Sequence, residues 1–92
     1  MNGEWVEILN TSDQNIDMTG WKLYDESGHV FDFPHGFILK AGESVRVYTG
    51  RGENAASELY WGYSKPVWNN DRDCARLVDN LGNEVDVECW QN

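Results

Sequence analysis

"CARLVDNLGNEVDVEC", residues 74–89, sets two runs of alternating apolar and polar residues on either side of a turn. Such alternation marks half-buried strands, and the central "DNLGN" suits a type I turn with Gly82 in the left-handed region. Pairing Asp79 with Asn83 places Leu77 opposite Val85 and Ala75 opposite Val87, giving one apolar face. In that register Cys74 faces Glu88, and Cys89 points to the other side of the sheet. A slip of one residue would align the cysteines but carry the apolar set off its face, because side chains alternate with a period of two. The register therefore favours free thiols over a Cys74–Cys89 disulfide.

The same pattern repeats toward the N-terminus. Val6 and Ile8 alternate in "EWVEILN" (4–10), Trp21 and Leu23 in "GWKLYD" (20–25), and Phe31 and Phe33 in "HVFDF" (29–33), which Pro34 stops. Val45 and Val47 follow in "FILKAGESVRVYTG" (37–50), and Trp61 in "LYWG" (59–62). No stretch keeps a helical period for two turns. Seven or more short strands with regular turn signals indicate an all-β, Ig-like antiparallel β-sandwich, a single domain over residues 3–90. The antibody signature is missing, since Cys74 and Cys89 lie too close in sequence to bridge two sheets around a central Trp. The predicted core is Val6, Ile8, Trp21, Leu23, Phe31, Phe33, Val45, Val47, Trp61, Ala75, Leu77, Val85 and Val87, with Trp68 beside it.

The chain has 92 residues, which suits one domain. Its hydrophobic share of 40% includes five Trp, four Tyr and three Phe, enough for a packed core despite a net charge of −9. That charge repels phosphate backbones and disfavours direct nucleic-acid binding. No apolar run approaches the ~18 residues of a membrane span, and no signal-peptide pattern is visible. A first strand begins almost at Met1, so the sequence reads as a domain of a larger protein.

The ordered set "GEWVEILN", "DMTGWKLYDESG", "FDFP", "FILKAGESVRVYTG", "LYWG", "PVWNNDRD" and "LVDNLGNEV" resembles the lamin-tail domain, an Ig-like intermediate-filament tail module. The "LYWG … PVWNNDRD" form is more similar to the prokaryotic branch of that family. The resemblance implies a β-sandwich accessory module attached to other domains, without catalytic activity or a cofactor of its own. It implies a protein or cell-surface partner, and an extracellular or prokaryotic cell-surface setting. The basic patches by which eukaryotic lamin tails contact chromatin have no counterpart in this acidic chain.

Asn69, Asn70 and Asp71 of "PVWNNDRD" read as an Asx-type turn that anchors Trp68, because short amides and carboxylates satisfy local backbone groups. Calcium is the competing reading of those oxygens, but EF-hand spacing is absent. His29 and His35 lie ~20 Å apart on an extended strand and cannot share one ion with Asp32. No nucleophile elbow, P-loop or HExxH string occurs. Aromatic residues supply the binding candidates: Tyr60, Tyr63 and Trp68, with Asn69, Asn70 and Asp71 beside them. Together with the resemblance, these candidates imply a non-catalytic interaction or targeting module. A carbohydrate- or calcium-dependent adhesion module and a structural spacer are the alternatives.

Overall fold

The computed structural model describes residues 5–63, Trp68 and residues 72–91. Among them are nine strands and no helix: β1 (Trp5–Leu9), β2 (Ile16–Asp17), β3 (Lys22–Tyr24), β4 (Val30–Asp32), β5 (Ile38–Leu39), β6 (Ser44–Tyr48), β7 (Glu58–Tyr60), β8 (Arg72–Val78) and β9 (Glu84–Gln91). They form a three-stranded sheet in the order β1-β6-β7, a four-stranded sheet in the order β4-β3-β8-β9, and the short pair β2-β5. All pairs are antiparallel except β6 with β7. The architecture is an Ig-like β-sandwich.

Alternation along each strand decides what it buries. In the four-stranded sheet, Phe31, Leu23 and Leu77 stand side by side on β4, β3 and β8, and all three are buried. Val45 and Val47 of β6 and Leu59 of β7 join them in one apolar cluster, together with Met18, Phe33, Leu39, Trp68 and Ala75. Each fully buried Leu, Val or Phe adds about 1.5–3 kcal/mol of favourable transfer. Val6, Ile8, Trp21 and Trp61 are half-buried against this cluster.

Buried polar groups hold the turns. The Asn10 amide donates to the carbonyls of Gln14 (2.8 Å) and Leu39 (2.9 Å), while its Oδ1 accepts from the Ser12 backbone. Asp25, whose side chain is fully buried, accepts from the His29 N–H at 2.7 Å and from Ser27 N–H at 3.1 Å. Asp73 accepts from Glu26 N–H at 3.0 Å, tying the β3–β4 turn to the start of β8. Without these acceptors, buried N–H groups would each cost about 1–3 kcal/mol.

The hairpin corrects the regular register. Its turn forms as read: Asp79 N–H donates to Asn83 O at 2.9 Å, and Gly82 has a φ of 86°. Beyond it the pairing jumps, with Val78 opposite Glu84 but Leu77 opposite Asp86. Val85 is the extra residue of a β-bulge, which shifts every later β9 side chain to the other face. Cys74 consequently faces Cys89, and the two form a disulfide rather than free thiols. Ala75 faces Glu88, and Val87 stands beside Arg76 on the outer face. Val85 and Val87 are therefore not core residues: they are 49% and 37% exposed.

Candidate binding surface

The aromatic residues of the segment 59–68 divide between two faces of the sandwich. Trp61 turns inward at the end of β7, its Nε1 donating to Val30 O at 3.1 Å. Its ring meets those of Phe31, Tyr63 and Trp68 at centroid distances of 5.7, 5.7 and 5.8 Å. Trp68 is buried in this cluster. Tyr63 is 37% exposed and meets the His29 ring edge-on at 5.3 Å, and Asp25 Oδ2 lies 2.6 Å from His29 Nδ1. The cluster thus leaves Tyr63 and His29 partly exposed beside the β3–β4 turn.

Tyr60 belongs to the opposite surface, the outer face of the three-stranded sheet. Register aligns Trp5 of β1 with Tyr48 of β6 and Tyr60 of β7. With strands about 4.8 Å apart, the three rings form a row roughly 10 Å across. Tyr48 and Tyr60 stack at 5.1 Å with 16° between their planes. The next row is Glu7, Arg46 and Glu58. Arg46 Nε donates to Glu7 Oε1 at 3.0 Å, and its guanidinium carbon lies 4.2 Å from the centre of the Trp5 ring. An aromatic row is therefore lined by carboxylates and one arginine.

The segment before β7 fixes Tyr60. Asn54 Oδ1 accepts from Tyr60 N–H at 2.9 Å, and Gly52 lies directly on the ring, where a Cβ would come within 2.5 Å of it. Only glycine permits that approach. Burial in this arrangement, followed by the nearby Glu58 carboxylate, pushes the Tyr60 phenol above its ordinary pKa, so it stays a neutral hydrogen-bond donor. Contacts with Tyr48 and Glu7 hold the Arg46 guanidinium in its charged form. Trp5 remains 43% exposed, and Leu9, further along β1, is 57% exposed.

Both the fold and the ordered motifs are those of one family, and its model, the Lamin Tail Domain, matches residues 1–92. The chain belongs to the lamin tail domain family. Lamin tail domains are Ig-like modules, generally without enzymatic activity, that serve protein interaction within larger proteins. In this lamin tail domain, no helix among the described residues is long and apolar enough to cross a membrane. No group of three or more His, Cys, Asp or Glu among them is placed to hold a metal ion.

The candidate residues read from sequence are therefore separated rather than gathered. Tyr60 is half-buried on the outer face, Tyr63 is exposed beside His29, and Trp68 lies in the core. Asn69, Asn70 and Asp71 lie outside the described residues. Sequence reading missed Trp5, Tyr48 and Arg46. The signal was present: in "EWVEIL" and "SVRVY", Val6, Ile8, Val45 and Val47 point inward, so Trp5, Arg46 and Tyr48 must point outward.

Proposed function

We propose that this lamin tail domain is an interaction and targeting module that engages a protein or cell-surface partner through the aromatic outer face of its three-stranded sheet. The observation that carries the proposal is the row Trp5–Tyr48–Tyr60, in which Tyr48 and Tyr60 stack on each other, Gly52 packs on the Tyr60 ring, and Arg46 and its carboxylates flank the row. Aromatic side chains and arginine dominate binding surfaces because they bury large area while losing little rotamer freedom. The domain holds whatever is joined to it near the partner, raising effective concentration without performing chemistry. The Cys74–Cys89 disulfide supports an oxidising, extracellular or cell-surface setting.

A carbohydrate chain is the second partner class, favoured by the partly exposed Trp5 ring with carboxylates nearby. The test compares the fluorescently labelled domain with its Trp5→Ala/Tyr48→Ala variant for retention on intact cells of the producing organism. Retention drops about tenfold or more in the variant, in keeping with loss of two aromatic anchors, while its melting temperature stays close to that of the parent. Protease sensitivity of the retention identifies a protein partner, and competition by soluble oligosaccharide a glycan. Equal retention of both proteins overturns the proposed face.

A further inference from the structure

A second surface lies where the two sheets part. β1 is the edge of the three-stranded sheet and β9 the edge of the four-stranded one. Between them runs a groove of about 460 Å³, whose lining includes Val6 and Ile8 on one side, Ala75 and Leu77 at the floor, and Val85, Asp86, Val87 and Glu88 of β9 on the other side. The row of inward residues explains its chemistry. Phe31, Leu23 and Leu77 are apolar, and the fourth place, on β9, is filled by Asp86. Glu88 occupies the same position beside Ala75.

The bulge at Val85 makes this arrangement. It turns two carboxylates toward an apolar groove and leaves Val85 and Val87 exposed. Neither Asp86 nor Glu88 forms an ion pair among the described residues, although the Asp86 carboxylate accepts from Val87 N–H at 2.8 Å, a bond an incoming strand exchanges. Among the described residues β9 is the longest strand, eight residues, and pairs only with β8. An unpaired edge of that length is a template for another strand. A second copy of this chain is a poor occupant, since it would bring Glu84, Asp86 and Glu88 and a net charge of −9 against the same acids.

We infer that the β9 edge accepts an extended peptide segment in which Lys or Arg alternates with apolar residues. Its backbone continues the four-stranded sheet. Its basic side chains stand beside Asp86 and Glu88, with their methylene stems over Leu77 and Ala75. Its apolar side chains fall beside Val87 on the outer face. This surface is separate from the aromatic row, so either proposal can fail without the other.

The experiment titrates the disulfide-intact domain, labelled with ¹⁵N, with a capped alternating Lys–Val peptide matching the eight residues of β9. Amide shifts concentrate on residues 84–91 and on β1, and affinity weakens as salt rises. An alternating Glu–Val peptide does not bind. Asp86→Lys/Glu88→Lys lowers affinity about tenfold or more, whereas Glu26→Lys/Glu53→Lys, the same change in net charge elsewhere on the surface, lowers it far less. Asp86→Asn/Glu88→Gln, which keeps side-chain shape, also weakens binding and guards against misfolding of the charge-reversed variant. Shifts spread over the whole surface, equal losses in the two charge-reversed variants, or a free domain that dimerises through β9 would each overturn the inference.

Discussion

β6 and β9 are both built on alternating valines, yet only those of β6 reach the core. Val45 and Val47 are 0% and 1% exposed, while Val85 and Val87 are 49% and 37% exposed. β6 lies between two partners, β1 and β7, and keeps one register along its length. Among the described residues β9 has one partner, and a bulge beside the turn. A central strand is held to its phase by packing on both sides, whereas an edge strand can take an extra residue and reverse its faces. Alternation therefore reports a face only as far as the nearest bulge.

That contrast can be tested by mutation, beginning beside β6. Leu59→Ala on β7, at a site 1% exposed, removes core volume from the regular sheet and costs about 4 kcal/mol in urea unfolding. A loss under about 1 kcal/mol would mean that this half tolerates poor packing as well as the edge does. In the ribbon, stability rests more on covalent chemistry. Opening the Cys74–Cys89 bridge, 15 residues apart, by Cys74→Ala/Cys89→Ala costs about 3 kcal/mol. A melting temperature unmoved by the double substitution would show that β8 and β9 need no staple.

The paired valines give the sharpest comparison. Val47→Ala costs about 2 kcal/mol, and Val87→Ala less than about 0.5 kcal/mol, both read from denaturant midpoints. Equal costs would refute the bulged register. The smallest effect concerns the turn that precedes the bulge. Backbone N–H groups of Asn83 and Leu81 donate to the Asp79 carboxylate and hold its pKa below the ordinary value of 3.8. A lowered folded-state pKa contributes stability that is present above the ordinary value and lost as pH falls through the lowered one. Asp79→Asn keeps an acceptor and loses the charge, so the variant shows a shallower stability loss on the acid side, below pH ~4. An unchanged acid limb would remove Asp79 from that account.

Much of the sandwich was legible because it depends on local alternation. Leu23, Phe31, Phe33, Val45, Val47, Ala75 and Leu77 are buried where their strands predict. The β8–β9 pairing was not, because the apolar pattern favours the regular register and nothing local marks the bulge. The bulged register joins the cysteines and leaves Val85 and Val87 exposed. The binding face was half legible. Tyr60 was identifiable as a ring in excess of core needs. Its alignment with Trp5 and Tyr48 depends on β1 meeting β6 and β6 meeting β7 across long sequence separations, which no local pattern encodes.

The disulfide also sets how the domain responds to force. It joins neighbouring strands of one ribbon, so residues 75–88 form a closed loop that carries no tension when the chain is pulled from its two ends. Under load the strands before Cys74 can be drawn out to full length, while this loop stays short. Reducing the bridge adds about 50 Å of extensible chain, at roughly 3.3–3.6 Å per residue over the 15-residue separation. A domain that anchors a larger protein to a surface would thus have a maximum extension controlled by the oxidation state of two sulfur atoms.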